Sequence, residues 1–152
     1  MKLVKFSLIF SIVLLFFTSY NSLAQDITVY RSPLSVDSTI NKIKSSILKN
    51  KFKYLEIQEF QSVYDSASVF KGLVKIVHFE TPEIYKLAAC EPSAMIDMPL
   101  KIIIWSEDND TYFGYMNANT YSKRFMVRNC VDVIRKINIA YIRVSNDVIR
   151  TH

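Results

Sequence analysis

The sequence predicts one α+β domain: a mainly antiparallel sheet with helices packed on one face. Three observations carry this expectation. Strand-length runs that are alternating or wholly apolar recur between helical patterns. Two of these runs, Ile102–Trp105 and Thr111–Met116, are joined by the polar turn Glu107-Asp108-Asn109-Asp110, which reads as a hairpin. The last segment places Cys130, Ile134, Ile137, Tyr141, Val144 and Val148 three or four apart, the spacing of an amphipathic helix. The expected order is β-α-β-(α)-β-(α)-β-β-α-α.

The chain opens with a segment unlike the rest. Lys2 and Lys5 precede the nearly unbroken apolar run Phe6–Phe17, and Ser22-Leu23-Ala24 places small residues where signal peptidase accepts them. The expectation is a signal peptide over residues 1–24, cleaved after Ala24, and a periplasmic or secreted single domain over residues 25–152. The apolar run is too short for the roughly 20 residues a membrane span needs, so no stable span is expected after cleavage. Removing the leader takes two lysines and no acid, so the formal charge falls from +5 to +3. That modest, dispersed charge gives no reason to expect nucleic acid as a partner.

The elements follow in order. Ile27–Tyr30 alternates as a first strand, and Ser32-Pro33 closes it because proline cannot donate to a ladder. Ser35 caps a helix carrying Val36, Ile40, Ile43 and Ile47 to about Lys49, with Asn50 expected as the left-handed residue that ends it. Tyr54–Gln58 reads as a second strand, and residues 62–70 as a weak short helix. Gly72 breaks the chain before a third strand, Leu73–Phe79. Thr81-Pro82-Glu83 combines a capping hydroxyl, a first-turn proline and an acid, and starts a helix to about Cys90. Glu91–Pro99 is expected to be irregular. The hairpin follows, then a helix capped by Asn117 or Asn119 with Tyr121 and Phe125 on it, and finally a long helix over about Asn129–Ile149.

Composition removes several kinds of chemistry. The chain holds two Gly, two Cys and two His. Gly72 and Gly114 lie too far apart for a phosphate loop, a dinucleotide fingerprint or a nucleophile elbow. Cys90, Cys130, His78 and His152 lack the paired spacing of a structural zinc site. No cofactor and no resident metal are expected. His78-x-Glu80 has the start of a zinc deaminase signature but not its cysteine pair.

The segment from Ile96 to Asp108, with Met98-Pro99-Leu100-Lys101, the run Ile102–Trp105 and the acidic turn, resembles the domain of unknown function 302 family. Val29-Tyr30-Arg31-Ser32-Pro33 before a capped helix, Val74–Phe79 before Thr81-Pro82, and Tyr112–Asn117 before Tyr121 are similar to it in order and spacing. The resemblance covers about residues 26–126 and implies a small α+β domain of the TATA-binding-protein-like type. It implies no activity. Glu59 stands where many members carry a histidine, and Glu80-Thr81 replaces a glycine-asparagine pair before the proline, so chemistry resting on that histidine is not carried over.

The remaining candidates are few. His78, Glu80 and Glu59 are the acid-base candidates, with His78 and Glu80 two apart on one strand and therefore on one face. The alternative for His78 is a structural, hydrogen-bonded role. Cys90 and Cys130 are either a disulfide or two buried thiols. Glu107, Asp108 and Asp110 are read as a solvated hairpin tip rather than a calcium loop. Tyr112, Tyr115 and Trp105 are the candidates for a ligand-binding sheet face, with Tyr112 and Tyr115 on opposite faces. The expectation is a non-catalytic module that binds a small ligand or an envelope protein. The alternatives are an acid-base enzyme of low motif content and a homo-oligomer built through the C-terminal helix.

Overall fold

The computed structural model describes residues 26–60, 74–125, 127 and 129–150. The expected leader and the expected weak helix at 62–70 lie outside the described residues. Five strands form one antiparallel sheet: β1 (Ile27–Ser32), β2 (Lys53–Phe60), β3 (Val74–Glu80), β4 (Leu100–Glu107) and β5 (Asp110–Met116). Their spatial order is β1-β5-β4-β3-β2. The first two strands in sequence are therefore the two edges, and helix α1 (Val36–Lys49) connects one edge to the other.

Alternation assigns the faces. Tyr30, Phe113, Ile102, Ile104, Val77 and Phe79 occupy successive ladder positions on one face and pack into the core with Ile40, Ile43 and Ile47 of α1. The other face carries Val29, Tyr112, Gly114, Ile103, Trp105, Ile76 and His78. The continuous apolar run of β4 thus belongs to a central strand with one row of side chains on each face. At Gly114 an added Cβ would stand 2.8 Å from the Thr28 carbonyl oxygen, so the residue lets β1 approach β5 closely.

Helix α1 starts as its sequence predicts, with the Ser35 hydroxyl accepting from the Ser38 N–H at 3.4 Å. Its end differs by one residue. Asn50 has φ −81°, and Lys51 takes the left-handed conformation at φ 59°. Asn50 instead bonds back through its side-chain amide to the Ser46 carbonyl at 2.9 Å, which keeps it near the helix axis. Helix α2 (Pro82–Cys90) has Pro82 at its first position, but the Thr81 side chain makes no capping bond. Residues expected to be irregular form a 3₁₀ helix, Pro92–Asp97, which Pro92 can open because its missing N–H would be unpaired there anyway. Ala118, not an asparagine, sits at the cap of α3 (Asn119–Arg124), while the Asn117 side chain accepts from the Asn119 N–H at 2.9 Å.

Helix α4 (Val131–Ile149) buries Ile134, Ile137, Tyr141, Val144 and Val148. Its β-branched residues are poor helix formers, and burial against the sheet and α1 overrides that preference. Asp147 ties it to α1 by accepting from Ser46 Oγ at 2.6 Å and Lys49 Nζ at 3.2 Å. No helix among the described residues is long and apolar enough to cross a membrane.

Candidate functional site

The site begins where the central ladder stops. β4 and β5 pair from Glu107–Asp110 to Ile103–Gly114. Continued, that register would set Lys101 against Met116 and Ile102 against Tyr115, but these pairs do not form. β4 instead stays with β3, through Ile102–Val77 and Lys101–His78. β5 stays with β1, through Tyr115–Thr28 and Met116–Ile27. The sheet therefore splits between two strands that each keep their outer partner.

A tyrosine occupies the split. Tyr141 Oη accepts from the Lys101 N–H at 3.2 Å, the role a continued ladder would have given to a β5 carbonyl. Its ring stacks on Tyr115 at 4.4 Å with an interplanar angle of 2°, and meets Phe79 edge-on at 5.6 Å. These contacts leave a cavity of about 230 Å³. Ile27, Ile76, Ile103 and Met116 form its apolar walls, Tyr115, Tyr121 and Tyr141 its deep side, and Asp97 and Lys101 its polar rim. Because these residues come from both faces of the sheet, the cavity runs into the gap between the strands.

The phenols are held neutral. Burial pushes Tyr141 and Tyr115 well above the ordinary phenol value of 10. Burial, with help from the Asp97 carboxylate, pushes Tyr121 up to about 12. The rim is charged, and its two groups are compensated differently. Asp97 is paired with Arg124 at 2.6 Å, whereas Lys101 Nζ donates to the Asp97 backbone carbonyl at 2.9 Å. Among the described residues no carboxylate pairs with Lys101.

Of the three acid-base candidates, His78 and Glu80 share the open face of β3, two residues apart, whereas Glu59 is on the opposite face. Glu59 lies on the helix-covered side, where it and Asp37 each stand 3.0 Å from Lys75 Nζ and together hold that ammonium's pKa above its usual range. Glu80 accepts from Lys53 at 3.2 Å and from the Tyr85 hydroxyl at 3.0 Å. His78 stands between Glu56 and Lys101 across its two ladders. It is 6% exposed, and neither ring nitrogen has a hydrogen-bond partner among the described residues. Desolvation, reinforced by Lys101, lowers its pKa. The alternative of a hydrogen-bonded structural histidine finds no partner for either nitrogen among the described residues.

The other candidates separate clearly. Cys90 and Cys130 are joined as a disulfide, Cα to Cα 6.3 Å, linking the end of α2 to the start of α4. Asp108 and Asn109 have φ 50° and 68° in the hairpin turn, and Asp110 pairs with Arg31. Trp105 and Tyr112 stack on the open face at 5.6 Å, away from the cavity, while Tyr115 lies at its floor. The main apolar stripe of α4 is spent on the core, leaving Val131, Ile139, Ile142 and Ile149 exposed along one other side of the helix. Tyr141, Tyr121 and Lys101 escaped the sequence reading. The one available signal was Tyr141, a residue with a polar tip inside the apolar stripe of a helix.

Comparison with known proteins agrees with this architecture. A crystal structure of an uncharacterized conserved protein of the same family, from Bacillus stearothermophilus, superposes with a TM-score of 0.71 at 14% identity, covering 85% of this chain and 100% of that one. At that identity the likeness is one of fold. No curated protein matches. The family model described as domain of unknown function DUF302 matches residues 28–144, so the similarity continues into α4, past the point near residue 126 where the sequence resemblance stopped. The chain belongs to the DUF302 family.

Proposed function

We propose that this is an exported, non-catalytic binding domain whose ligand is a small, largely apolar molecule held in the gap between β4 and β5. The observation that carries the reading is the tyrosine-floored cavity at the broken ladder. Sheets seldom give up pairing between central strands, because each unpaired backbone group must find another partner. Here Tyr141 supplies that partner, and the gap is lined by Ile27, Ile76, Ile103 and Met116. At about 230 Å³ the cavity lies below the roughly 300 Å³ at which sites for drug-sized ligands begin, so its occupant is smaller than those. Glu59 lies on the opposite face from His78, and Glu80 is tied to Lys53 and Tyr85, which favours binding over acid-base catalysis. Export rests on the N-terminal pattern of Lys2, Lys5 and the Phe6–Phe17 run.

The test is a thermal unfolding series with 1-hexanol, run beside an Ile103→Trp variant that fills the gap. A ligand that binds only the folded state stabilises it by RT ln(1 + [L]/Kd), about 1.4 kcal/mol at tenfold excess over Kd. The parent Tm should rise with 1-hexanol and the variant's should not. Equal responses would refute this location. Mass spectrometry of protein purified from its own envelope should find a chain beginning at Gln25, and an intact leader would refute cleavage.

A further inference from the structure

The corner of the gap nearest β3 has an unbalanced chemistry. Ile76 pairs with Ile103, and His78 pairs with Lys101, so these four side chains form one block on the open face. Three of them, Ile76, Ile103 and Lys101, line the cavity. The fourth, His78, is buried, and both its nitrogens are unpartnered among the described residues. Lys101 brings an ammonium to the same corner and finds there only a backbone carbonyl. A buried polar group without a partner is costly. Lys101 is exposed at the rim, so its ammonium stays solvated and can turn to an anion seated beside His78.

We propose that the occupant is a small amphiphile with a carboxylate head, its apolar body in the gap and its carboxylate between the Lys101 ammonium and the His78 imidazole. The inference rests on the reading of the gap as a binding site. A monoanion fits this corner better than a dianion. It offers one cation and, from a neutral imidazole, one N–H donor. Glu56, on the far side of His78 across the β2–β3 ladder, and Glu80, two residues along β3, oppose any larger negative charge. Asp97 is already compensated by Arg124 and does not compete for Lys101. A cationic head would meet Lys101 with like charge, and a neutral alcohol would leave the ammonium unpaired.

The test compares three probes of one length, hexanoate, 1-hexanol and hexylamine, by calorimetric titration of the purified protein. The His78 imidazole is followed by NMR in parallel. Hexanoate should bind at least tenfold more tightly than either of the others. Saturating hexanoate should raise the His78 pKa, because a carboxylate beside the ring favours its charged form. Lys101→Met keeps most of the apolar stem and should bring hexanoate down to the affinity of 1-hexanol. The carboxylate assignment is overturned if 1-hexanol binds as tightly as hexanoate, if Lys101→Met keeps the tenfold preference, or if hexanoate leaves the His78 pKa unmoved. Each of those results spares the apolar gap as a site. If none of the three probes binds, the binding site itself is refuted. The pKa readout uses the unsubstituted protein, so it stands even where a variant folds poorly.

Discussion

Replacing Tyr141 with phenylalanine removes the bond that lets the sheet split, together with the phenol's hydrogen-bonding contact with Tyr121. The variant keeps the ring that stacks on Tyr115 at 4.4 Å and meets Phe79 at 5.6 Å, and removes only the hydroxyl. The Lys101 N–H then loses its acceptor at the edge of an apolar cavity. Stranding a buried donor costs about 1–3 kcal/mol. The bond is 3.2 Å long, at the far end of the normal range, which places the expected loss in the lower half, about 1–2 kcal/mol. Tyr141→Ala should cost about 3–5 kcal/mol, because it also empties a fully packed aromatic site. Urea unfolding measures both, and amide hydrogen exchange at Lys101 locates the effect. In Tyr141→Phe that amide should lose protection while amides in the outer β1–β5 and β3–β4 ladders keep theirs. A loss under 0.5 kcal/mol with Lys101 protection unchanged would refute the claim that the phenol replaces a ladder partner.

Other perturbations bear on separate parts of the fold. Reducing the Cys90–Cys130 disulfide, or replacing both cysteines with serine, should cost about 4 kcal/mol by the loop-closure entropy of its 40-residue separation, read as a fall in urea midpoint between oxidised and reduced protein. Gly114→Ala would press a Cβ to 2.8 Å from the Thr28 carbonyl and 3.2 Å from Val29 Cγ2, so it should lose about 1–3 kcal/mol and speed exchange of the β1 amides first. His78 has a folded-state pKa below its ordinary 6.5, so the unfolded chain takes up the proton first. Stability should therefore decline as pH falls below about 6.5, until the folded-state pKa is reached, and His78→Phe should flatten that part of the profile. Asp147 is held below its ordinary 3.8 by the Ser46 hydroxyl and then by Lys49, so its contribution persists at neutral pH and fades only as pH falls through the folded value. An Asp147→Asn variant whose urea midpoint matches the parent at pH 7 would contradict that.

Much of the fold is legible in local patterns, and the reasons can be read in particular residues. Ile40, Ile43 and Ile47 repeat at helical spacing and form the buried stripe of α1. Asp108 and Asn109 accept positive φ more readily than most residues, which suits the two-residue turn of the β4–β5 hairpin. The misses were equally local. Thr81 has the right identity and position for a cap, yet its hydroxyl makes no bond. Lys51 takes the left-handed turn that Asn50 was expected to take. At Asn50 the side-chain bond to the Ser46 carbonyl accompanies the change, whereas nothing in the structure explains the unbonded Thr81 hydroxyl.

The site was far less visible than the fold. Of the three aromatic ligand candidates, Tyr115 lines the cavity, whereas Tyr112 and Trp105 stack together elsewhere on the open face. Glu59 is held by Lys75 on the helix-covered face, and Glu80 is tied to Lys53 and Tyr85. Strand alternation assigns a face to each residue. It says nothing of where a ladder will part.

Apolar period, turn chemistry and the order of elements follow from interactions a few residues long, so they are written in the chain and specify an α+β domain with its hairpin and long final helix. The gap between β4 and β5 depends on Tyr141 reaching Lys101 across 40 residues, and on β1 and β3 each retaining the strand beside it. Those contacts are set by packing between distant segments, where the gain from stacking and from one replaced hydrogen bond outweighs two ladder pairs. No periodicity records that balance, so the cavity and the buried histidine beside Lys101 emerge only once the chain is folded.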